Sequence, residues 1–201
     1  MNEILVLYYS RYGATEGLAR EVCVGIDSVP GAAARLRTVP PISATIEATE
    51  AAIPANGPPY ATIDDLTDCA GLVLGSPTRF GNMAAALKYF LDETGSVWLG
   101  GGLAGRPAGV FSSTSTLHGG QESTLLTMAI PLLHHGMLIT GIPFTEARLS
   151  STTTGGSPYG ATHVSWNRKP DALSDDERFL ARALGARVAS IALKLIDREP
   201  L

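Results

Sequence analysis

The sequence predicts an α/β fold, a parallel β-sheet covered by helices on both faces. Three observations predict it. Short apolar runs rich in β-formers recur at residues 4–9, 34–39, 70–75, 108–112 and 137–141. Segments with apolar residues at helical spacing lie between them. Small, polar, glycine-bearing loops follow several of the runs. Apolar runs bounded by Ser and Gly suit strands buried on both faces, and their alternation with helices makes the strands parallel.

The first run, 4–9, stops at Ser10-Arg11-Tyr12-Gly13-Ala14-Thr15. Beyond it, Leu18, Ala19, Val22, Cys23 and Ile26 share one face of a helix over 16–26. The loop therefore lies where a helix presents unpaired N–H groups and the positive end of its dipole, which suits a phosphate. Ser10 and Thr15 offer hydroxyls, and Gly13 lets a ligand approach the backbone. No Lys-Ser/Thr pair follows the glycine and the three-glycine dinucleotide pattern is absent. The same residues would equally serve an ordinary βα turn capped by Ser10.

Pro30-Gly31 turns the chain into the second strand, 34–39, which Pro40-Pro41 closes. Residues 40–60 hold Pro54, Gly57, Pro58 and Pro59 and exceed an ordinary connection. They read as an insertion: a surface excursion, a lid or a subunit contact, with room for a helical turn at 46–53. A short capped helix at 62–66 precedes the strand at 70–75. That strand ends in the turn-rich stretch 76–82, and a helix over 83–92 turns Ala84, Leu87, Phe90 and Leu91 inward. Residues 95–102 form a glycine-rich loop carrying Trp98. The strand at 108–112 ends in a small polar loop, 113–122. The helix over 124–135 contains Pro131, whose missing N–H is expected to kink or divide it. The fifth strand is 137–141, followed by a polar loop at 150–159. The last helix starts at Ser174, with Glu177 three residues on as a capping box. Leu180, Leu184, Val188, Ile191 and Leu195 give it an apolar face.

At 201 residues the chain reads as one domain, with 45% hydrophobic and 17% charged residues marking a globular protein. A net charge of −4 with dispersed Lys and Arg speaks against a nucleic-acid surface. No apolar stretch reaches membrane-spanning length and the N-terminus enters the fold directly, so the expectation is a cytoplasmic protein without membrane insertion. Cys23 and Cys69 fit neither a disulfide framework nor a metal pattern and read as reduced core thiols. His134 and His135 are adjacent and would point apart on a helix, so no metal site is expected. No nucleophile stands beside an acid–base pair, the G-x-S-x-G elbow is absent, and no catalytic side chain is nominated. Parallel sheets bind ligands beyond the carboxyl ends of their strands, where three loops meet: 10–15, 77–82 and 112–121. A site rich in recognition groups and poor in reactive ones points to cofactor chemistry.

Several stretches together carry a resemblance over nearly the whole chain. They are Leu5-Val6-Leu7-Tyr8-Tyr9-Ser10, Pro77-Thr78-Arg79-Phe80-Gly81-Asn82-Met83, Phe111-Ser112-Ser113-Thr114, Gly119-Gly120-Gln121-Glu122, His134-His135-Gly136-Met137 and Pro158-Tyr159-Gly160-Ala161-Thr162. The chain resembles the WrbA-type NAD(P)H:quinone oxidoreductases. The resemblance implies a flavodoxin-like doubly wound sheet of five parallel strands in the order 2-1-3-4-5. FMN would be the cofactor and NADH or NADPH the reductant. Ser10, Arg11, Tyr12, Gly13, Ala14 and Thr15 would hold the FMN phosphate. Pro77, Thr78, Arg79, Phe80 and Gly81 would line the isoalloxazine edge. Ser113, Thr114, Ser115, Thr116, Leu117, His118 and Gly119 would cover the ribityl chain and the other side of the ring. His134 would complete the flavin pocket. Tyr12 would lie near the nicotinamide dinucleotide, and Trp98 would wall the substrate cavity.

Family members are homotetramers whose neighbouring subunits finish the site. The implied activity is two-electron, ping-pong reduction of quinones to hydroquinones. Two other readings stand beside it: a single-electron carrier, though such carriers are smaller and more acidic, and a flavin-binding regulatory or interaction protein. From the residues alone, His134 also suits a helix C-terminus and Trp98 a surface groove. The chain departs from the family at Leu117-His118, at Pro131 and over 165–170.

Overall fold

The apolar run near the N-terminus becomes the middle of the sheet. In the computed structural model, which describes residues 2–42, 57–165 and 172–196, β1 (Asn2–Tyr8) pairs in parallel with β2 (Ala32–Thr38) on one side and β3 (Gly71–Pro77) on the other. Next to β3 lies β4 (Pro107–Thr114), also parallel. Ile4, Val6 and Tyr8 face one core and Leu5 and Leu7 the other, as the two-residue period of a strand requires. Burying both faces explains why the run shows no polar alternation.

The first core lies between the sheet and two helices, α1 (Ala14–Asp27) and α7 (Asp175–Ile196). Leu18, Val22 and Ile26 of α1 meet Leu180, Leu184 and Val188 of α7 there, all fully buried. Each such side chain stabilises the fold by roughly 2 kcal/mol. The helices approach closely because two glycines face across the contact. A Cβ on Gly25 would lie 2.0 Å from the Arg182 carbonyl oxygen, and one on Gly185 would lie 2.2 Å from that of Val22. Glu21 adds ion pairs to Arg178 at 2.7 Å and Arg182 at 2.6 Å.

The second core is covered by α3 (Ala85–Asp92) and α5 (Gln121–His134), with the short α2 (Ile63–Thr67) and α4 (Gly95–Leu99) beside them. Thr62 and Asp65 form a reciprocal capping box on α2. Two expectations change here. The Trp98 stretch is a helical turn in α4, anchored by buried Val97, rather than a glycine loop. Pro131 does not divide α5, which runs through it. Leu125, Met128 and Leu132 pack that helix onto the sheet, and this burial outweighs one lost hydrogen bond. Cys23 and Cys69 are both free thiols. Burial pushes Cys23 up to about 12 and raises Cys69 as well.

The strand order β2-β1-β3-β4-β5 is the predicted one, but the fifth position is filled in two pieces and the sheet has six strands. Only Leu138–Ile139 forms β5, beside Pro107 and Ala108. The carboxyl half of β4 pairs instead with β6 (Ala161–Val164), from Phe111 to Thr114. Between them the chain leaves the sheet through Pro143, forms the short α6 (Arg148–Ser151) and returns past Pro158, whose carbonyl accepts from the Ile142 N–H at 2.9 Å. The proposed insertion over 40–60 falls largely on residues 43–56, outside the described residues, as do 166–170 of the predicted departure.

Candidate functional site

All the parallel strands end on one edge, and the order reverses between β1 and β3. At that switch point lies a cleft of about 270 Å³. It is lined by Ser10, Arg11, Tyr12, Ala14 and Thr15, by Pro77, Thr78 and Arg79, and by Ser113, Thr114, Ser115 and Ser165. Three loops distant in sequence thus converge because their strands are neighbours.

The first wall is the start of α1. Gly13 caps this helix at φ 91°, a left-handed conformation that a side chain would strain, and no side chain caps the N-terminus. The first-turn N–H groups therefore have no intrahelical acceptor and open at the cleft. Ser10 does not cap the helix; its Oγ accepts from the Gly13 N–H at 3.1 Å and so shapes the loop. A Cβ built on Gly13 meets nothing within 4 Å, which leaves the space a bound group would take.

The second wall follows β3. Ser76 Oγ accepts from the Ala84 N–H at 2.8 Å, and Arg79 and Asn82 exchange backbone hydrogen bonds at 2.7 and 3.0 Å. The turn so closed holds Phe80 at φ 54° with its ring fully exposed. A non-glycine residue in that region is strained, and such strain collects at functional sites. Two bonds tie this loop to α5: Thr78 Oγ1 accepts from Thr124 Oγ1 at 2.8 Å, and Thr127 Oγ1 donates to the Gly81 carbonyl at 3.1 Å.

The third wall is the end of β4, backed by a buried polar chain. Gln121 Nε2 donates to Thr114 Oγ1 at 3.0 Å, and Gln121 Oε1 accepts from Thr162 Oγ1 at 2.9 Å. Behind β6, Glu177 accepts from the N–H groups of Gly155 and Val164, both at 3.0 Å, and of Ser174 at 2.7 Å. It also pairs with buried His163, whose Nδ1 lies 3.0 Å away. Burial alone would raise this carboxyl, but His163 and the Ser174 and Val164 N–H groups outweigh burial and hold it at about 2. A carboxylate accepts only, so His163 carries its proton on Nδ1. Ser165, the next residue, donates from N and Oγ to the Thr114 carbonyl at 2.9 and 3.1 Å.

Of the residues expected to touch cofactor, the cleft gathers Ser10, Arg11, Tyr12, Ala14, Thr15, Pro77, Thr78, Arg79, Ser113, Thr114 and Ser115. Gly13, Phe80 and Gly81 sit within the same loops without lining it. Thr116, Leu117, His118 and Gly119 are exposed beyond the third wall. His134 is the last residue of α5, about 20 Å along the helix from its cleft end at 1.5 Å per residue. Its ring stacks on Trp98 with centroids 5.3 Å apart, so within one chain neither residue lines the cleft. Ser165 was missed by the sequence reading. The segment before it, Ala161-Thr162-His163-Val164, carries a threonine and a histidine and was not recognised as a strand.

The cleft fits FMN. Hydroxyls and unpaired N–H groups surround the helix N-terminus, and no carboxylate lines the cleft to repel a phosphate. The sequence matches the family profile described as NADPH-dependent FMN reductase over residues 24–145. The chain belongs to the NADPH-dependent FMN reductase family. Two relatives, from Solidesulfovibrio magneticus and Trichlorobacter lovleyi, are both described as NAD(P)H dehydrogenase (quinone). The first is 42% identical over 200 residues, covering 96% of this chain and 98% of the relative. The second is 43% identical over 202 residues, covering 97% and 99%. Among solved structures, the WrbA-like flavodoxin from Agrobacterium tumefaciens superposes with a TM-score of 0.67 at 22% identity, covering 96% of this chain and 99% of that one. An archaeal flavodoxin gives a TM-score of 0.63 at 16% identity, covering 95% and 99%. These relatives bear out the WrbA-type resemblance, and the structures bear out the flavodoxin-like fold. Among the described residues, no cluster of potential metal ligands occurs and no helix is long and apolar enough to cross a membrane.

Proposed function

We propose that this chain is an FMN-dependent NAD(P)H:quinone oxidoreductase that reduces quinones to hydroquinones two electrons at a time. The observation that carries the reading is the cleft itself: a hydroxyl-lined phosphate seat at the switch point, with no carboxylate, histidine or cysteine on its wall. Full-length relatives named NAD(P)H dehydrogenase (quinone) support it. FMN bound there supplies the two-electron redox chemistry.

The residues of the chain bind and orient. Ser10, Thr15 and the first-turn N–H groups of α1 hold the phosphate. Ser113, Thr114 and Ser115 receive the ribityl hydroxyls. Thr78 and Arg79 approach the ring edge, and Phe80 stands at the lip as a flat surface. Nicotinamide and quinone use the remaining open side in turn, which makes the kinetics ping-pong.

The same reading makes the active form a homotetramer in the cytoplasm. The supporting observation is α5, which is apolar on both sides: Leu125, Met128 and Leu132 are buried, while Leu126, Ile130 and Leu133 are exposed. With Trp98 and Leu99 these form an exposed apolar surface. A neighbouring chain is what would carry a Trp98–His134 stack to a cleft that its own chain's stack does not reach.

The test is the purified, FMN-loaded protein with NADH or NADPH and benzoquinone. Parallel double-reciprocal lines without an added reductase are expected. Turnover only with a reductase partner would make it a carrier. No oxidation of either dinucleotide despite full FMN loading would favour a regulatory role.

A further inference from the structure

Most of the described arginines are committed to carboxylates: Arg20 to Glu16, Arg35 and Arg37 to Asp65, Arg148 to Asp176, and Arg178 and Arg182 to Glu21. Arg11 and Arg79 have no such partner among the described residues, and both stand on the wall of the main cleft. Arg79 is half-buried, and its Nη1 donates to the Thr78 carbonyl at 2.7 Å. That bond turns the guanidinium back on a loop already clamped by Asn82 and Thr124. Arg11 is exposed, with its guanidinium carbon 5.4 Å from the Tyr12 ring centroid.

No carboxylate lines the cleft, so nothing on its wall cancels these two permanent positive charges. In a chain of net charge −4 this is a local reversal of sign. A neighbouring cleft shares Arg11 and Arg79 and adds Lys88, but Lys88 is paired with Asp92 and brings no free charge. The cleft on the other side of Arg11 has Glu16 on its wall and offers no comparable field.

Two free arginines are more than a phosphate seat requires. The first-turn N–H groups of α1 and the hydroxyls of Ser10 and Thr15 already suit an anion there. Arg79 stands on the loop after β3, across the cleft from that seat. Its charge therefore acts on the ring end of the ligand, where the charge changes during turnover. A hydride from the dinucleotide brings two electrons and one proton; NAD(P)+ leaves, and the occupant of the cleft is one unit more negative. Passing the hydride to the quinone, with one proton from solvent, completes the hydroquinone and restores the starting charge. A wall of carboxylates would oppose the first change; this wall favours it.

We propose that Arg79, assisted by Arg11, sets the two-electron reduction potential of the bound flavin, because the cleft holds the more negative, reduced form tighter than the oxidised one. The proposal rests on the reading above, in which FMN occupies the main cleft. Half-burial screens Arg79 less than exposed Arg11, so Arg79 contributes more. An interaction between its charge and the added one, at a dielectric between water and interior, gives roughly tenfold discrimination. For a two-electron couple that ratio is about 30 mV.

The experiment is equilibrium redox titration of the FMN-loaded full chain against a reference dye, followed by flavin absorbance without quinone. Arg79→Gln is expected to lower the midpoint by about 30 mV, and Arg11→Gln by less than half as much. Arg79→Lys, which keeps the charge, is expected to keep most of the parent value, and Lys88→Gln all of it. Added salt should narrow the gap between parent and Arg79→Gln. FMN affinity in Arg79→Gln should fall roughly tenfold for the reduced form and much less for the oxidised. An unmoved midpoint in Arg79→Gln, or an equal fall in Arg79→Gln and Arg79→Lys, would overturn the assignment. Turnover with NADH or NADPH beside an unmoved midpoint leaves the oxidoreductase reading standing and this one fallen. The expected shifts in a protein that oxidises neither donor would do the reverse, and a protein that cannot be loaded with FMN would overturn both.

Discussion

Glu177→Gln tests how the far side of the sheet holds the cleft together. Among the described residues the fully buried carboxylate accepts from Gly155 and Val164 N–H on Oε1 and from Ser174 N–H and His163 Nδ1–H on Oε2. A glutamine keeps one acceptor oxygen and turns a donor toward the other pair. His163 can answer by shifting its proton to Nε2, which has no partner among the described residues. The backbone N–H of Ser174 cannot, and it is left unpaired. Losing the charge-assisted bonds and orphaning one N–H costs about 3 kcal/mol. The pKa leads to a similar figure. With the carboxyl at about 2 against an ordinary 4.5, the ionised form stabilises the fold by roughly 3 kcal/mol.

Because the folded pKa is the lower one, that stabilisation is complete above about pH 4.5 and disappears as pH falls through about 2. Thermal unfolding by circular dichroism should show the variant melting roughly 6–12 °C lower at pH 7. The gap should shrink steadily below pH 4.5. FMN retention should also drop, since Val164 leads into Ser165 and the third wall. Melting within about 2 °C of the parent at pH 7, or a gap insensitive to acid, would refute the reasoning.

Three further outcomes are expected. Ser10→Ala removes the acceptor for the Gly13 N–H and one hydroxyl from the phosphate seat; the FMN Kd from fluorescence quenching should rise roughly tenfold, while the apo protein melts as before. Gly25→Ala would place a methyl 2.0 Å from the Arg182 carbonyl oxygen; neither backbone can yield, and denaturant titration should show a loss of about 3 kcal/mol. Phe80→Gly relieves a left-handed strain of about 1–2 kcal/mol against a glycine entropy cost of about 0.5–1 kcal/mol. Its stability should hold or rise slightly while the quinone KM increases several-fold; a clear fall in melting temperature would mean the ring packs.

Much of the fold could be read because burial leaves a local imprint. The runs around Ile4–Leu7 and Leu72–Leu74 are apolar throughout, and both faces of the sheet are covered there. The strand expected at 137–141 forms, though only Leu138–Ile139 pairs; the second piece beside β4 escaped, because Ala161–Val164 contains a threonine and a histidine and does not read as a buried strand. His163 is fully buried only because Glu177 comes back from α7 to meet it. Pro131 misled for the same kind of reason: a local rule against helix lost to packing of Leu125, Met128 and Leu132.

From the amino acids alone came the alternation of strand and helix and the phosphate-suited loop after β1, while the flavin as cofactor and the strand order came from the resemblance to the WrbA-type family. Each follows from patterns repeated within a few residues or from motifs kept intact. The folded molecule decided what depends on distances between remote segments. It brought Ser165 against Thr114, locked Phe80 in a left-handed turn, turned His134 and Trp98 away from their own cleft and set Lys88 beside Arg11. Those juxtapositions arise from which strands lie side by side and which helices cover them, and no stretch of sequence short enough to read by period contains that information.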